Sequence, residues 1–434
     1  MKVTGIIAEY NPFHTGHLYH LNQARKLTGA DFIVVAMSGD FVQRGGPAIF
    51  DKYTRAEMAL ACGADLVLEL PSPFAVSSAE DFASCGVALL DRLGTVDFLC
   101  FGSECGDCIP LLSAARLLVE ETDEYAQILQ EELKKGSTFP AARQTALERL
   151  YGESGDSSLA ALVSSPNNIL GLEYCKAIIR QDSPILPVTL RRQGAGYHDD
   201  LDSASEEGEL PVHASASGIR GTLRQLSPSS SFVQLFDSRA YHNLLRYIPE
   251  EVRGLFSQAK PLWPDDFSSI LNSFLLSALK NGDSASAALS QYGDVSSDMA
   301  LRLERLLLDF AGWEGRAAQL KTKQYTYTRI NRGLTHLLLG LKKNDMALWK
   351  KRGYAPYARI LGFQKSASPL LSVLEYTSRI PLVYSPAAAV KSLEPDALSM
   401  FRQDLYASHI YQCAYQQKYG ESPKNEFTRK MLAL

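Results

Sequence analysis

Two histidines three residues apart, His14 and His17, stand in the run Ile7–Ala8–Glu9–Tyr10–Asn11–Pro12–Phe13–His14–Thr15–Gly16–His17–Leu18–Tyr19–His20. The apolar segment Val3–Ala8 precedes the run. Asn11, Pro12 and Gly16 mark a tight turn, and Leu18, Leu21, Ala24 and Leu27 follow at helical spacing. The pattern predicts a strand, a turn and a helix, with the two imidazoles at the helix start. Free backbone N–H groups and the positive end of the helix dipole make that position an anion site. Imidazoles that donate hydrogen bonds suit a phosphate there. Helical zinc pairs are usually spaced i, i+4 with a glutamate between them, which this run does not match.

Further polar clusters follow other apolar segments. Ser38, Asp40 and Arg44 lie in the glycine-rich stretch Ser38–Gly46 and are placed to touch a small ligand or a phosphate. Gly102, in Phe101–Gly102–Ser103–Glu104, would let the backbone approach a nucleoside closely. Asn167 and Asn168 open a helical pattern, where either could serve as an N-cap. Arg191 and Arg192 precede Gly194–His198. Ser217 reads as the N-cap of another helix, with Arg220 one turn inside it, a second anion cradle.

These clusters need elements to hold them. Val3–Ala8, Phe32–Met37, Leu66–Leu70, Val96–Phe101 and Ile185–Leu190 are short apolar runs that alternate with helical stretches. That alternation predicts an α/β domain with a doubly wound, five-stranded parallel sheet. Ligands of such sheets bind beyond the carboxyl ends of the strands, where the clusters fall. A helical insertion occupies about 105–160 and ends in the polar loop Tyr151–Ser158; Asp199–Gly208 reads as another loop. Beyond residue 218 leucine periodicity predicts an all-α region. The expected division is therefore a nucleotide-binding part, 1–218, and a helical part, 219–434.

The 434 residues are 46% hydrophobic and 21% charged, the composition of a globular protein of two or three domains. No segment reaches the roughly 18 apolar residues of a membrane helix. The N-terminus does not read as a signal peptide, so a cytoplasmic location is expected. Seven scattered cysteines argue for reduced thiols. Cys100, Cys105 and Cys108 match three ligands of an iron–sulfur spacing, but no fourth cysteine follows in a matching context, and no metal site is assigned.

The net charge of −4 conceals an asymmetry. Residues 1–218 hold 16 Lys and Arg against 30 Asp and Glu, and residues 219–434 hold 28 against 18. Residues 321–365 carry eleven of those cations with Asp345 as the only acid. Among them are Lys323, Arg329, Arg332, Lys342, Lys343, Lys350, Lys351, Arg352 and Arg359, interleaved with Tyr325, Tyr327, Trp349, Tyr354, Tyr357 and Phe363. Cations with stacking aromatics suit a structured RNA; a solvated helical face over core aromatics is the other reading.

His14–Thr15–Gly16–His17 after a first strand resembles the H-x-G-H signature of the nucleotidylyltransferase superfamily, in which it binds the ATP triphosphate. Ser217–Arg220 resembles the superfamily's second phosphate element, with Gly218 where a hydroxyl residue is more common. The ordered set AEYNPFHTGH, SGDFVQRG, FGSE, PNNILGLEY, RRQGAGYH, SASGIR and KQYTYTRINRGLTHLLLGL…PYARILGF is narrower still. It is similar, over nearly the whole chain, to the bacterial tRNA(Met) cytidine acetate ligase family. The resemblance implies an ATP-dependent ligase that adenylates acetate and transfers acetyl to N4 of the wobble cytidine of elongator tRNA(Met). It implies ATP as substrate, with Mg²⁺, and tRNA(Met) and acetate as partners, with no membrane and no obligate protein partner. Carried onto this chain, His14, His17 and Arg220 are catalytic. ATP is held by Ile7 to His20, Gly102, Asn167, Asn168, Arg191, Arg192 and Ser217, and the basic stretch holds tRNA. Two other readings remain open: an adenylyltransferase or acetate ligase acting on a small molecule or carrier thiol, and a non-catalytic RNA-binding protein.

Overall fold

The computed structural model describes the chain except residues 121, 138, 152–165, 192–214, 227–238 and 282–283. Arg192, Gly194–His198, Asp199–Gly208 and all but Tyr151 of the loop ending the insertion lie outside the described residues.

The five expected runs form strands β1 (Val3–Ala8), β2 (Phe32–Ser38), β3 (Leu66–Leu70), β4 (Phe98–Ser103) and β5 (Leu186–Arg191). They pair in parallel in the order β5-β4-β1-β2-β3, so the connection reverses direction between β1 and β4. That reversal opens a crevice at their carboxyl ends. Alternate side chains serve opposite faces, as the period of two requires. Val34 and Ala36 share a core cluster with the helices Ala79–Arg92 and Pro166–Arg180, while Ile33, Val35 and Met37 join the core beside α1 (Thr15–Thr28) and α2 (Lys52–Ala61). The insertion supplies three helices, Cys108–Glu120, Asp123–Lys134 and Phe139–Tyr151.

The second half is mainly helical, yet it departs from an all-α reading at three strands. β6 (Ala358–Phe363) pairs antiparallel with β3, and the two-residue strands β7 (Leu382–Val383) and β8 (Leu432–Ala433) pair with β6. The run Ala358–Arg359–Ile360–Leu361–Gly362–Phe363 hides its strand character behind an arginine and a glycine. Both have physical causes. A Cβ at Gly362 would stand 2.6 Å from Leu432 Cβ and 2.8 Å from Leu60 Cδ1, so the glycine admits β8 and α2. Arg359 is 2% exposed and paired with Glu69 at 2.8 Å and with Glu426. The core is likewise continuous: Leu334, Leu337, Phe401 and Leu405 belong to the same cluster as Val34 and Phe82.

Candidate functional site

A cavity of about 350 Å³ lies at the carboxyl ends of β1, β4 and β5. Its walls include Ile7, Ala8, Glu9, Tyr10, Asn11, His14, Gly16, His17, Tyr19, His20, Arg44, Gly102, Asn167, Arg191, Ser217 and Arg220. Pro12, Phe13, Thr15, Leu18 and Asn168 do not line it. Phe13 and Leu18 pack into the core beneath α1, and the Thr15 N–H donates to the Tyr247 carbonyl at 2.8 Å.

The histidine spacing has a local cause. His14 is the N-cap of α1, and its Nδ1 accepts from the Gly16 N–H at 3.0 Å. His17, at the third helical position, accepts the His14 N–H on its own Nδ1 at 3.3 Å. The pair is a capping box built from imidazoles, which demands i, i+3. Because both Nδ1 atoms accept, each neutral ring carries its proton on Nε2. The rings stack with centroids 3.8 Å apart, and Tyr10 meets His17 edge-on at 4.8 Å.

Arg220 reaches the same turn from the helix Ala216–Leu226: Nη1 donates to the Asn11 carbonyl at 2.6 Å and Nη2 to Ser217 Oγ at 3.2 Å. The expected cap shifts by two residues. Ser215, not Ser217, caps this helix, with its Oγ accepting the Gly218 N–H at 3.0 Å. Ser217 sits in the first turn with its hydroxyl toward Arg220.

Two expected contacts are latches between elements. Asn168 Oδ1 accepts the N–H groups of Glu104 at 2.9 Å and Cys105 at 3.2 Å. In return Glu104 Oε2 accepts the Asn168 N–H at 2.8 Å, and Oε1 accepts from Asn167 Nδ2 at 2.7 Å. This exchange ties the end of β4 to the start of Pro166–Arg180, so Asn168 is buried behind Gly102 and Asn167.

The glycine-rich stretch divides similarly. Arg44 lines the cavity, whereas Ser38 and Asp40 are buried away from it. Asp40 Oδ1 accepts the Lys52 N–H at 2.8 Å, and burial pushes its carboxyl up to about 6 against the pull of Lys52. Arg55, which no spacing singles out, is fully buried and donates to the carbonyls of Glu9 at 2.6 Å and Ser38 at 3.0 Å, and to that of Gly39. It clamps the ends of β1 and β2. Gln43, Phe82, Phe101, Leu170 and Tyr174 also line the cavity. Tyr174 closes the quoted motif PNNILGLEY, whereas Phe82 lies in none of the quoted motifs.

The basic stretch separates into kinds. Arg359 is interior and cannot reach an RNA. Arg332 pairs with Asp294 at 2.7 Å, Lys350 with Asp81 at 2.6 Å and Arg352 with Asp396 at 3.0 Å, while Lys343 Nζ donates to the Ser290 and Val295 carbonyls. Lys323, Arg329, Lys342 and Lys351 are exposed, and Arg329 stacks on Tyr325 at 5.1 Å. The helix Tyr327–Leu339 packs against the loop that carries Arg44. Thr335 Oγ1 accepts the Gly46 N–H at 2.7 Å, and at Gly45 (φ +81°) a Cβ would stand 2.3 Å from Arg332 N.

Among the described residues no group of three His, Cys, Asp or Glu side chains is arranged to hold a metal ion, and no helix is long and apolar enough to cross a membrane.

Comparison with known proteins agrees with this geometry. Residues 1–426 match the HIGH Nucleotidyl Transferase family model. The tRNA(Met) cytidine acetate ligase of Acetivibrio thermocellus is 36% identical over 435 residues, covering all of both chains. That of Clostridium acetobutylicum is 36% identical over 441 residues, again over both full lengths. The crystal structure of Thermotoga maritima TmcAL bound with alpha-thio ATP superposes with a TM-score of 0.86 at 30% identity, covering all of both chains. The chain belongs to the HIGH nucleotidyl transferases and, within them, to the tRNA(Met) cytidine acetate ligase family.

Proposed function

We propose that this protein activates acetate with ATP as acetyl-adenylate and passes the acetyl group to N4 of the wobble cytidine of elongator tRNA(Met). The observation that carries the reading is the imidazole capping box at the head of α1, facing a cavity that Arg44, Arg191 and Arg220 also line. Acetate is a poor acyl donor until one oxygen carries a good leaving group. Its carboxylate attacks the α-phosphorus, the bond to the pyrophosphate oxygen breaks, and negative charge gathers on the phosphoryl oxygens and the departing pyrophosphate. Nε2–H of His14 and His17, the head of α1 and Arg220 meet that charge with donors already in place, and this preorganisation lowers the barrier. In the second step N4 attacks the acetyl carbonyl, the bond to the AMP oxygen breaks, and AMP leaves.

Mg²⁺ accompanies ATP in this reading, where it would neutralise phosphate charge. The side chains present fit a protein-held metal poorly, because Glu9 is the one carboxylate among the described residues lining the cavity. No step is routed through a metal. Residues 1–218 together with Arg220 supply the nucleotide site in this proposal, and Lys323, Arg329, Lys342 and Lys351 of 219–434 supply the RNA contacts.

One assay tests it. The protein is incubated with ATP and labelled acetate, with and without tRNA(Met) transcript. RNA-dependent label at cytidine is expected. Pyrophosphate release with the label off RNA would instead favour an acetate ligase acting on a small molecule or thiol, and absence of adenylation a non-catalytic RNA binder.

A further inference from the structure

A cavity built for ATP and acetate meets anions on every side. Six basic groups among the described lining residues, His14, His17, His20, Arg44, Arg191 and Arg220, suit such ligands. Glu9 does not. A carboxylate there opposes every phosphate that enters, so its presence points to a ligand group that is neutral and gives up a proton. The proposed reaction contains one, the exocyclic amine of cytidine. The amine loses a proton when it is acylated, and carboxylates are the side chains that accept hydrogen bonds from cytosine N4.

The position of Glu9 suits that group. It stands just past the end of β1, beside the reversal of strand order. Arg55 holds its backbone carbonyl at 2.6 Å, and the Gln43 N–H donates to its Oε1 at 2.9 Å, so the side chain is aimed rather than loose. Tyr174, also on the cavity wall, feels it: burial pushes the phenol up, and the Glu9 charge adds to the rise. Gln43 leads directly into Arg44 and Gly45, and Gly45 abuts the backbone of Asn331 and Arg332. Glu9 is therefore tied to the loop that packs against the helix Tyr327–Leu339, which bears the exposed Arg329.

We propose that Glu9 is the general base of acetyl transfer, taking the N4 proton of the bound cytidine. The proposal rests on the function argued above and adds the residue for its second step. The N4–carbon bond forms, the carbon–oxygen bond to AMP breaks with its electron pair on the AMP oxygen, and the proton moves from N4 to the Glu9 carboxylate. General bases contribute about 10²–10⁴-fold to such steps.

The test compares two half-reactions in the full-length protein. Acetate-dependent ATP–pyrophosphate exchange reads adenylation. Single-turnover transfer from synthetic acetyl-adenylate to tRNA(Met) transcript reads the second step. Glu9→Gln keeps an oxygen for the Gln43 N–H, so the loop stays held. Transfer is expected to fall at least about 100-fold more than exchange and to recover in part in Glu9→Asp. Equal losses in both half-reactions would overturn the assignment, because Glu9 would then serve ATP or the loop alone; so would undiminished transfer. If the wild type itself fails to acetylate RNA from acetyl-adenylate, the proposed function falls. If the wild type and Glu9→Gln acetylate RNA alike, only the role of Glu9 falls.

Discussion

Lys52 and Arg359 in the interior carry the same sign of charge as Arg44, Arg191 and Arg220 around the cavity, but their surroundings differ. Lys52 Nζ lies 2.8 Å from Glu69 and 3.2 Å from Glu426, and it donates to Ser408 Oγ at 2.7 Å. Arg359 shares both carboxylates and donates to the Tyr53 hydroxyl at 3.1 Å. Two cations are matched there by Glu69 and Glu426 with no opening to a ligand. Around the cavity Arg44, Arg191 and Arg220 border the space an anionic substrate would fill, and Glu9 is the one carboxylate among the described lining residues. Positive charge serves a binding site where it borders a cavity, and a strut where buried carboxylates enclose it.

The largest effect that separates the two is on folding. Arg359→Ala would leave Glu69 and Glu426 buried with Lys52 alone, and breaking a buried pair costs about 3–5 kcal/mol. Denaturant unfolding should show that loss, with tRNA affinity of the remaining folded protein unchanged. Acid should attack the same cluster. Burial alone would raise the Glu426 carboxyl, but Lys52 and Arg359 pull it down to about 2. A depressed carboxyl stabilises the fold above its unfolded value and loses that contribution as pH falls through the folded one. Stability should therefore decline from about pH 4.5 toward pH 2, and less so in Glu426→Gln. An Arg359→Ala protein of native stability would dissolve the distinction.

The next largest effect belongs to the cavity. His14→Asn keeps a good N-cap for α1 while removing the imidazole. Adenylation should fall about 10²–10³-fold, as it does when a preorganised donor is lost, with little change in melting temperature or tRNA affinity. A parallel loss of stability would mean that His14 is only a cap. Asn168→Ala sits between the two regions. It strands the part-buried N–H groups of Glu104 and Cys105, which costs about 1 kcal/mol, the low end for an unsatisfied donor. Slackening the wall at Gly102 and Asn167 should raise KM for ATP more than it lowers kcat.

What could be read from the chain depended on range. The five parallel strands and the head of α1 declare themselves within a dozen residues each, through period and turn chemistry. Latches across long separations do not: Asn168 and Glu104 are 64 apart, and nothing local marks an amide as structural rather than ligand-facing. β6 is hidden because Arg359 looks like a surface cation until Glu69 and Glu426 are beside it. The basic window 321–365 contains one acid in sequence, but folding brings Asp81, Asp294 and Asp396 to it. Counting charge along the chain overstates what remains for RNA.

The smallest expected effect tests that remainder. Lys323 and Lys351 are exposed, and among the described residues neither has a carboxylate partner, whereas Lys350 already holds Asp81. If the unneutralised cations meet tRNA phosphates, Lys323→Gln and Lys351→Gln should each weaken tRNA(Met) binding and lower the slope of log affinity against log salt by roughly one. Lys350→Gln should change the slope less, because its charge is already matched by Asp81 within the protein. Adenylation without RNA should be the same in all three, since none lines the cavity. Equal slopes for Lys350→Gln and Lys351→Gln would show that a surface ion pair is traded freely for a phosphate. In that case the neutralised strut and the open site differ only where the charge is buried, and burial rather than pairing would set the boundary between them.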